Sequence, residues 1–261
     1  MIAKQQNSAG GKTVCAIAAR WTACALMALC LAAGSSLPAR ASAWTEGAKT
    51  MLFMRVDFSD MPGEPITVAA AQTLIGTDTN NFYIQNSYNK TSIAVTVTPT
   101  VLRMPQTAAY YGAGNHSLLL ADARAAAKAE GYDTANYNLD LVAFNRISGF
   151  SWAGLASVGG KGAWLNGYFG LREAGHEVGH NYGLFHANLW QTTDNSVIGA
   201  GSSLDYGDPY DMMGGYNTTS AHHFNSWFKS KLVLPESKPL PAAAPIGFSS
   251  RTRFHPVACA L

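Results

Sequence analysis

The sequence predicts one mixed α/β domain, of the α+β type, over residues 44–234. Segments with the apolar or alternating pattern of strands are interspersed with segments of helical periodicity, which is typical of a sheet packed with helices. Of the 261 residues, 48% are hydrophobic and only 13% are charged, a composition that excludes a disordered chain or a coiled coil. We therefore expect a twisted mixed sheet of about five strands packed with about three main helices.

The first third of the domain is expected to supply two strands and two helices. Residues 51–58 (MLFMRVDF) are mostly apolar and predict a buried strand. After a turn rich in proline and glycine, residues 67–75 and 81–88 have helical patterns, the second with its aromatic side chains facing inward. Residues 91–102 are β-branched and alternating, which predicts a strand interrupted by Pro99.

The middle of the chain contains the clearest helix. Residues 116–130 are rich in alanine and leucine with interspersed charges, and Gly131 supplies a stop. Residues 139–144 (LDLVAF) predict another strand. Residues 151–165 combine apolar side chains with four glycines and predict two short strands joined by a glycine turn.

The last part of the domain is expected to hold two helices separated by a long loop. Residues 171–185 have a helical pattern, and residues 221–232 predict a closing helix. The intervening stretch, residues 187–216, has no regular pattern, and loops of this length in compact domains are usually functional. From residue 235 onward the chain contains five prolines, so residues 235–261 are expected to form a tail or the start of a further domain.

The first 43 residues have the pattern of an export signal. Basic residues without any acid precede an apolar run of 11 residues, 23–33, which is too short for a membrane span of roughly 20 residues. Ala41, Ser42 and Ala43 then form a small-residue cleavage site, so a mature chain starting at Trp44 is expected. The predicted location is outside the inner membrane, either secreted or periplasmic, with no membrane anchor after signal removal.

Signal removal changes the charge and the cysteine count. It leaves 14 basic and 16 acidic residues, a net charge of −2 that gives no indication of nucleic-acid binding. Only Cys259 remains of four cysteines, so no internal disulfide is expected. The core alone must therefore stabilise the exported chain, which we expect to be a monomer.

Residues 176–186 (HEVGHNYGLFH) carry the strongest chemical signal. His176 and His180 are four residues apart, so one face of a helix presents both imidazoles to one metal ion. Glu177 is placed to take a proton from a bound water, and Gly183 can end the helix in a left-handed turn that returns His186 as a third ligand. Three histidines with an open fourth position are typical of a catalytic zinc site.

This motif, HExxHxxGxxH, resembles that of the metzincin metallopeptidases, which also have a later Met-turn beneath the metal. Residues 206–214 (YGDPYDMMG) are similar to that turn. The amino-acid sequence of this turn is most similar to that of the gametolysin (autolysin) branch, and the similarity extends to residues 55–60, 152–156, 172–175 and 181–184. Tyr216 is one position later than the tyrosine that several metzincins place after the Met-turn methionine, so it is not assigned.

The resemblance implies a metzincin-like zincin fold and a secreted zinc metalloendopeptidase. Its substrate would be a protein or peptide, such as an extracellular or cell-wall protein, laid along an edge strand. The implied roles are zinc binding by His176, His180 and His186, general base catalysis by Glu177, the Met-turn methionine for Met213, helix termination by Gly183, and substrate alignment by Trp152, Gly154 and Leu155.

Several alternatives remain open from the residues alone. A binding module that keeps zinc without turnover would share the motif, and so would a zinc hydrolase of non-peptide amides or esters. Two further groups could bind a metal but also have simpler explanations. His222 and His223 could form a second metal site or be an ordinary pair of histidines, and three aspartates could form a calcium site or cap turns. These aspartates are Asp205, Asp208 and Asp211. The tyrosines nearby, Tyr206, Tyr210 and Tyr216, could reach the cleft, but packing is the role expected for each.

Overall fold

The structure is a computed structural model that describes residues 43–215 and 222–233. The predicted tail and the predicted leader, apart from its last residue, lie outside these ranges. No helix within them is long and apolar enough to cross a membrane.

A six-stranded mixed sheet forms the centre of the domain. The main strand order is β2-β1-β4-β6-β5, and β3 pairs with the end of β1. All neighbours run parallel except β5, which lies antiparallel to β6 at the edge. The strands are β1 (Gly47–Asp57), β2 (Thr91–Val97), β3 (Leu102–Arg103), β4 (Leu139–Phe144), β5 (Gly154–Ala156) and β6 (Ala163–Asn166).

Helices cover both faces of this sheet. Alternate residues of β1 point to opposite faces, so Met51 and Phe53 join one core while Leu52 and Met54 join the other. The first face carries α1 (Val68–Ala71), a π-helical segment (Gln72–Thr79), α2 (Asn80–Asn86), α5 (Leu171–Asn181) and α6 (Ser226–Leu232), and the second carries α3 (Ala108–Gly112) and α4 (His116–Ala129).

Most predicted elements are confirmed, and the strand over residues 139–144 matches its prediction at both ends. The predicted strand 91–102 is divided into β2 and β3, with Pro99 between them, because proline cannot donate to a ladder. The two helices expected near the start are joined into one helical stretch by the π-helical segment. Helix α3 was not predicted.

The stretch 187–216 is not entirely irregular, and that expectation was wrong. It contains an antiparallel hairpin of β7 (Leu189–Thr192) and β8 (Gly201–Leu204), whose residues are largely exposed. The closing helix also begins later than expected, since the Asn225 side chain accepts a hydrogen bond from the Phe228 amide and caps α6. The hairpin lacks a clear alternating pattern because neither of its faces is buried.

Candidate metal centre and active site

Helix α5 positions two of the three motif histidines and then ends where the sequence indicates. Gly183 adopts a φ of +91°, a left-handed conformation that suits glycine. The Gly183 amide donates to the His180 carbonyl and the Leu184 amide donates to the Gly179 carbonyl, which closes the last turn. The chain then returns His186 towards the helix, as predicted, although α5 ends at Asn181 rather than at Phe185.

The three histidines converge on one point. Each offers one ligand atom, and these atoms all lie within 4.8 Å of one another. The ring centroids are 4.8 Å apart for His176 and His180, 5.0 Å for His180 and His186, and 5.5 Å for His176 and His186. In the part of the chain that the structure describes, this is the only group of three or more such side chains close enough to hold a metal ion.

Hydrogen bonds fix which nitrogen of each ring is free for a metal. In every case the Nδ1 atom lies against an oxygen, and a carbonyl or carboxylate oxygen only accepts, so Nδ1 carries the hydrogen and Nε2 keeps its lone pair. The acceptors are the Met212 carbonyl for His176 (2.9 Å), the Leu184 carbonyl for His180 (2.8 Å) and the Asp205 carboxylate for His186 (3.2 Å). Nδ1 of His176 also lies 3.1 Å from Nη1 of Arg172, but the carbonyl oxygen is the closer of its two neighbours.

Burial adjusts the charge states of the motif side chains. Desolvation lowers the pKa of His176 to about 3 and also lowers the pKa of His180, so both rings are neutral near pH 7, as a metal ligand must be. Desolvation raises the pKa of Glu177 to about 8. Within the described residues, Oε2 of Glu177 is buried without a hydrogen-bond partner, and unpaired buried polar atoms of this kind are rare away from catalytic or ligand-binding sites.

The two methionines of the predicted Met-turn pack directly beneath α5. A Cβ added at Gly179 would lie 2.5 Å from Sδ of Met213, and one added at Gly175 would lie 2.8 Å from Cε of Met212. Both methionines are fully buried. These glycines therefore allow both methionines to approach the helix closely.

Two charged side chains hold this turn in place, and the sequence reasoning assigned no role to the first of them. Arg172, one helical turn before His176, donates to the carbonyls of Met212 and Gly214. Buried Asp211 accepts from the Met213 amide at 2.7 Å and also from an amide at the start of α6. The four-residue spacing between Arg172 and His176 was the available signal, since it places both side chains on one helix face.

Tyr206 packs as expected, but it packs on the metal-site histidines. Its ring lies 3.6 Å, centroid to centroid, from that of His186 and 5.8 Å from that of His176. The residue has a φ of +57°, uncommon for a non-glycine residue. Tyr210 is 79% exposed, and Tyr216 lies outside the described residues.

A cavity of about 400 Å³ opens beside Glu177. Two of the three predicted substrate-aligning residues, Trp152 and Gly154, line it, whereas Leu155 packs into the core on the other side of the sheet. Gly154 begins the edge strand β5 directly over Glu177: an added Cβ would lie 2.7 Å from the Cγ and Cδ atoms of that glutamate. The cavity is also lined by Arg146, Ser151, Ala153, Tyr168, Arg172, Glu173, His176 and Tyr206.

The other metal candidates from the sequence have simpler roles. The three aspartates do not converge: Asp205 accepts from His186, Asp208 caps the Tyr210 amide at 2.9 Å, and Asp211 holds the Met-turn. Among the described residues these aspartates form no group that could hold calcium, and turn capping is confirmed for Asp208 and Asp211 but not for Asp205. His222 and His223 each contact an aromatic ring, at 6.3 and 6.0 Å respectively.

No protein-family model matches this chain, and no curated protein matches it significantly. What the structure shows is a mixed α/β domain in which three histidines can hold a metal ion next to a buried glutamate and a cavity.

Proposed function

We propose that this chain is an exported zinc metalloendopeptidase of the metzincin type that hydrolyses peptide bonds in proteins or peptides. One observation carries the proposal: three histidine ligand atoms lie within 4.8 Å of one another, and the adjacent Glu177 lines a cavity with a buried, unpaired carboxylate oxygen. The three candidate metal ligands, the proposed base Glu177 and a cavity that could admit substrate therefore lie side by side.

The residues fit a zinc ion. Three imidazoles, each with Nδ1 beside an oxygen and Nε2 available, are the usual donor set of a catalytic zinc site. Such sites leave a fourth position open, unlike closed structural sites. When bound, zinc lowers the pKa of a water to about 7 and polarises a carbonyl group.

Glu177 is the general base of the proposed reaction. It follows His176 on α5, and its side chain reaches beneath β5 to line the cavity. From this position it takes a proton from the attacking water and passes it to the leaving amine. Burial by itself favours the protonated form of Glu177, and a cation close by favours the ionised form that a base requires.

Strand β5 aligns the substrate in this proposal. It pairs with β6 on one side only, so within the described sheet its other edge can add a strand. Gly154 at the start of β5 lies directly over Glu177. An extended peptide paired with β5 therefore passes over the proposed base, and one of its side chains enters the cavity.

The proposal is tested with the chain from Trp44 to Leu261 loaded with zinc. Incubation with an unfolded protein is expected to give new amino termini, and a chelator is expected to abolish the cleavage. High zinc occupancy without cleavage of a broad protein panel would instead indicate a binding module. Hydrolysis of small esters or amides without any peptide cleavage would indicate a non-peptide hydrolase.

A further inference from the structure

The cavity beside Glu177 has walls that are already in place before a ligand arrives. Its outer wall is the loop from β4 to β5, and the fully buried side chain of Asn166 forms hydrogen bonds to the backbone of that loop. The Asn166 amide accepts from the Ile147 amide at 2.7 Å and donates to the Trp152 carbonyl at 2.8 Å. Selectivity for a side chain entering the cavity can therefore be inferred from the lining residues.

Arg146 places a positive charge at the rim of this cavity. Its guanidinium carbon lies 5.0 Å from the centroid of the Tyr168 ring, so the planar group is held against an aromatic face. Within the described residues, no acidic side chain forms an ion pair with Arg146. The guanidinium is thus oriented but has no carboxylate partner.

Of the other charged side chains of the lining, Arg172 is hydrogen-bonded to backbone carbonyls, whereas Glu173 forms no ion pair among the described residues. Arg172 donates to two carbonyls of the Met-turn. A carboxylate oxygen of Glu173 lies 2.9 Å from where a Cβ of Gly170 would stand, at the N-terminus of α5. A carboxylate at that point is stabilised by the partial positive charge of the helix end, and Glu173 forms no ion pair with Arg146 among the described residues.

We propose that this cavity selects an acidic side chain, glutamate or aspartate, next to the cleaved bond of the substrate. The carboxylate pairs with the guanidinium of Arg146, whose fork of donors matches a carboxylate in two hydrogen bonds. The aromatic faces of Trp152 and Tyr168 contact the methylene groups. This inference rests on the proposed function, because it assigns the substrate class of the same site.

The test compares three peptides that differ at one position flanking the cleaved bond, with glutamate, glutamine or lysine there. The position is first found by sequencing the products of a peptide library randomised on both sides of the bond. The zinc-loaded protein is expected to cleave the glutamate peptide with a kcat/KM about tenfold higher than the glutamine peptide, or about 1.4 kcal/mol. Arg146→Gln should abolish this preference, and Arg146→Glu should reverse it in favour of lysine.

Lys231→Gln is the matched control. Lys231 also lies over an aromatic ring, 4.6 Å from the centroid of Trp227, but on α6 and not in the cavity lining. The substitution removes the same charge from the protein, so it corrects for long-range electrostatics. Loss of the acidic preference in Lys231→Gln as well would overturn the assignment to Arg146, and a preference for lysine in the unmodified protein would assign the selection to Glu173 instead.

A binding measurement separates failure of this inference from failure of the proposed function. The zinc-loaded Glu177→Gln variant is titrated with the same three peptides, and the glutamate peptide is expected to bind most tightly. Cleavage without acidic preference would overturn the inference and leave the peptidase proposal standing. Acid-selective binding without cleavage by the unmodified protein would support the cavity assignment and contradict the peptidase. Neither cleavage nor selective binding would overturn both.

Discussion

Replacing Gly154 with alanine is expected to disable catalysis while the metal site stays intact. The new Cβ would lie 2.7 Å from Cγ and Cδ of Glu177, whereas ordinary contacts begin near 3.4 Å. Since both residues belong to packed elements, the glutamate must move away by roughly 0.7 Å at these atoms, and a misplacement approaching 1 Å costs on the order of 10²-fold in rate. That loss corresponds to about 2.7 kcal/mol of activation free energy.

The assay is kcat/KM on one peptide, with zinc affinity and thermal stability measured on the same preparation. Gly160→Ala is the matched control, because a Cβ there meets nothing within 4 Å and its backbone needs no positive φ. The control should keep its activity, and both variants should bind zinc like the unmodified protein. If Gly154→Ala cleaved within about threefold of the unmodified rate, Glu177 would not act from the position described here.

Three further substitutions test the supports of the site and the sheet. Asp205→Ala removes the acceptor of the third histidine and should weaken zinc binding by about 10–100-fold in a competition titration, whereas unchanged affinity would exclude that support. Gly179→Ala should lower the free energy of unfolding by about 1–3 kcal/mol, because the new Cβ overlaps Met213. Alanine has the higher helix propensity, so an increase in unfolding free energy measured by denaturant titration would contradict this packing. A hydrogen bond from Arg103 lowers the pKa of Asp57, so the ionised carboxylate stabilises the folded protein. Asp57→Asn should therefore lower the free energy of unfolding by its full amount above about pH 4, and this difference should disappear as the pH falls through the lowered pKa of the folded state. A difference in unfolding free energy that does not change with pH would refute the pairing.

The sequence predicted the elements whose pattern is local and strong. The histidine motif places its ligands by helical spacing and one glycine turn, so His176, His180 and His186 could be assigned together before the fold was known. The strand over residues 139–144 and the helix from His116 follow from apolar runs and periodicity, and the structure places them within one residue of their predicted bounds.

The remaining features depend on contacts between distant parts of the chain. Arg172 donates to the Met212 and Gly214 carbonyls only because residues some 40 positions later fold back under α5. The hairpin β7–β8 has no buried face and therefore no alternating pattern for sequence reasoning to detect. The contact of Gly154 with Glu177 depends on how β5 lies over the helix, and neither segment alone indicates it.

The most direct test of the account compares the unmodified protein with Glu177→Gln at equal, measured zinc occupancy. The quantity measured is the initial rate at which an unfolded protein is cleaved. Because the amide occupies the same volume and cannot accept the proton, the rate should fall by about 10²–10⁴-fold while zinc remains bound. Equal cleavage rates for the two proteins at equal zinc occupancy would contradict the central assignment of Glu177 as the base.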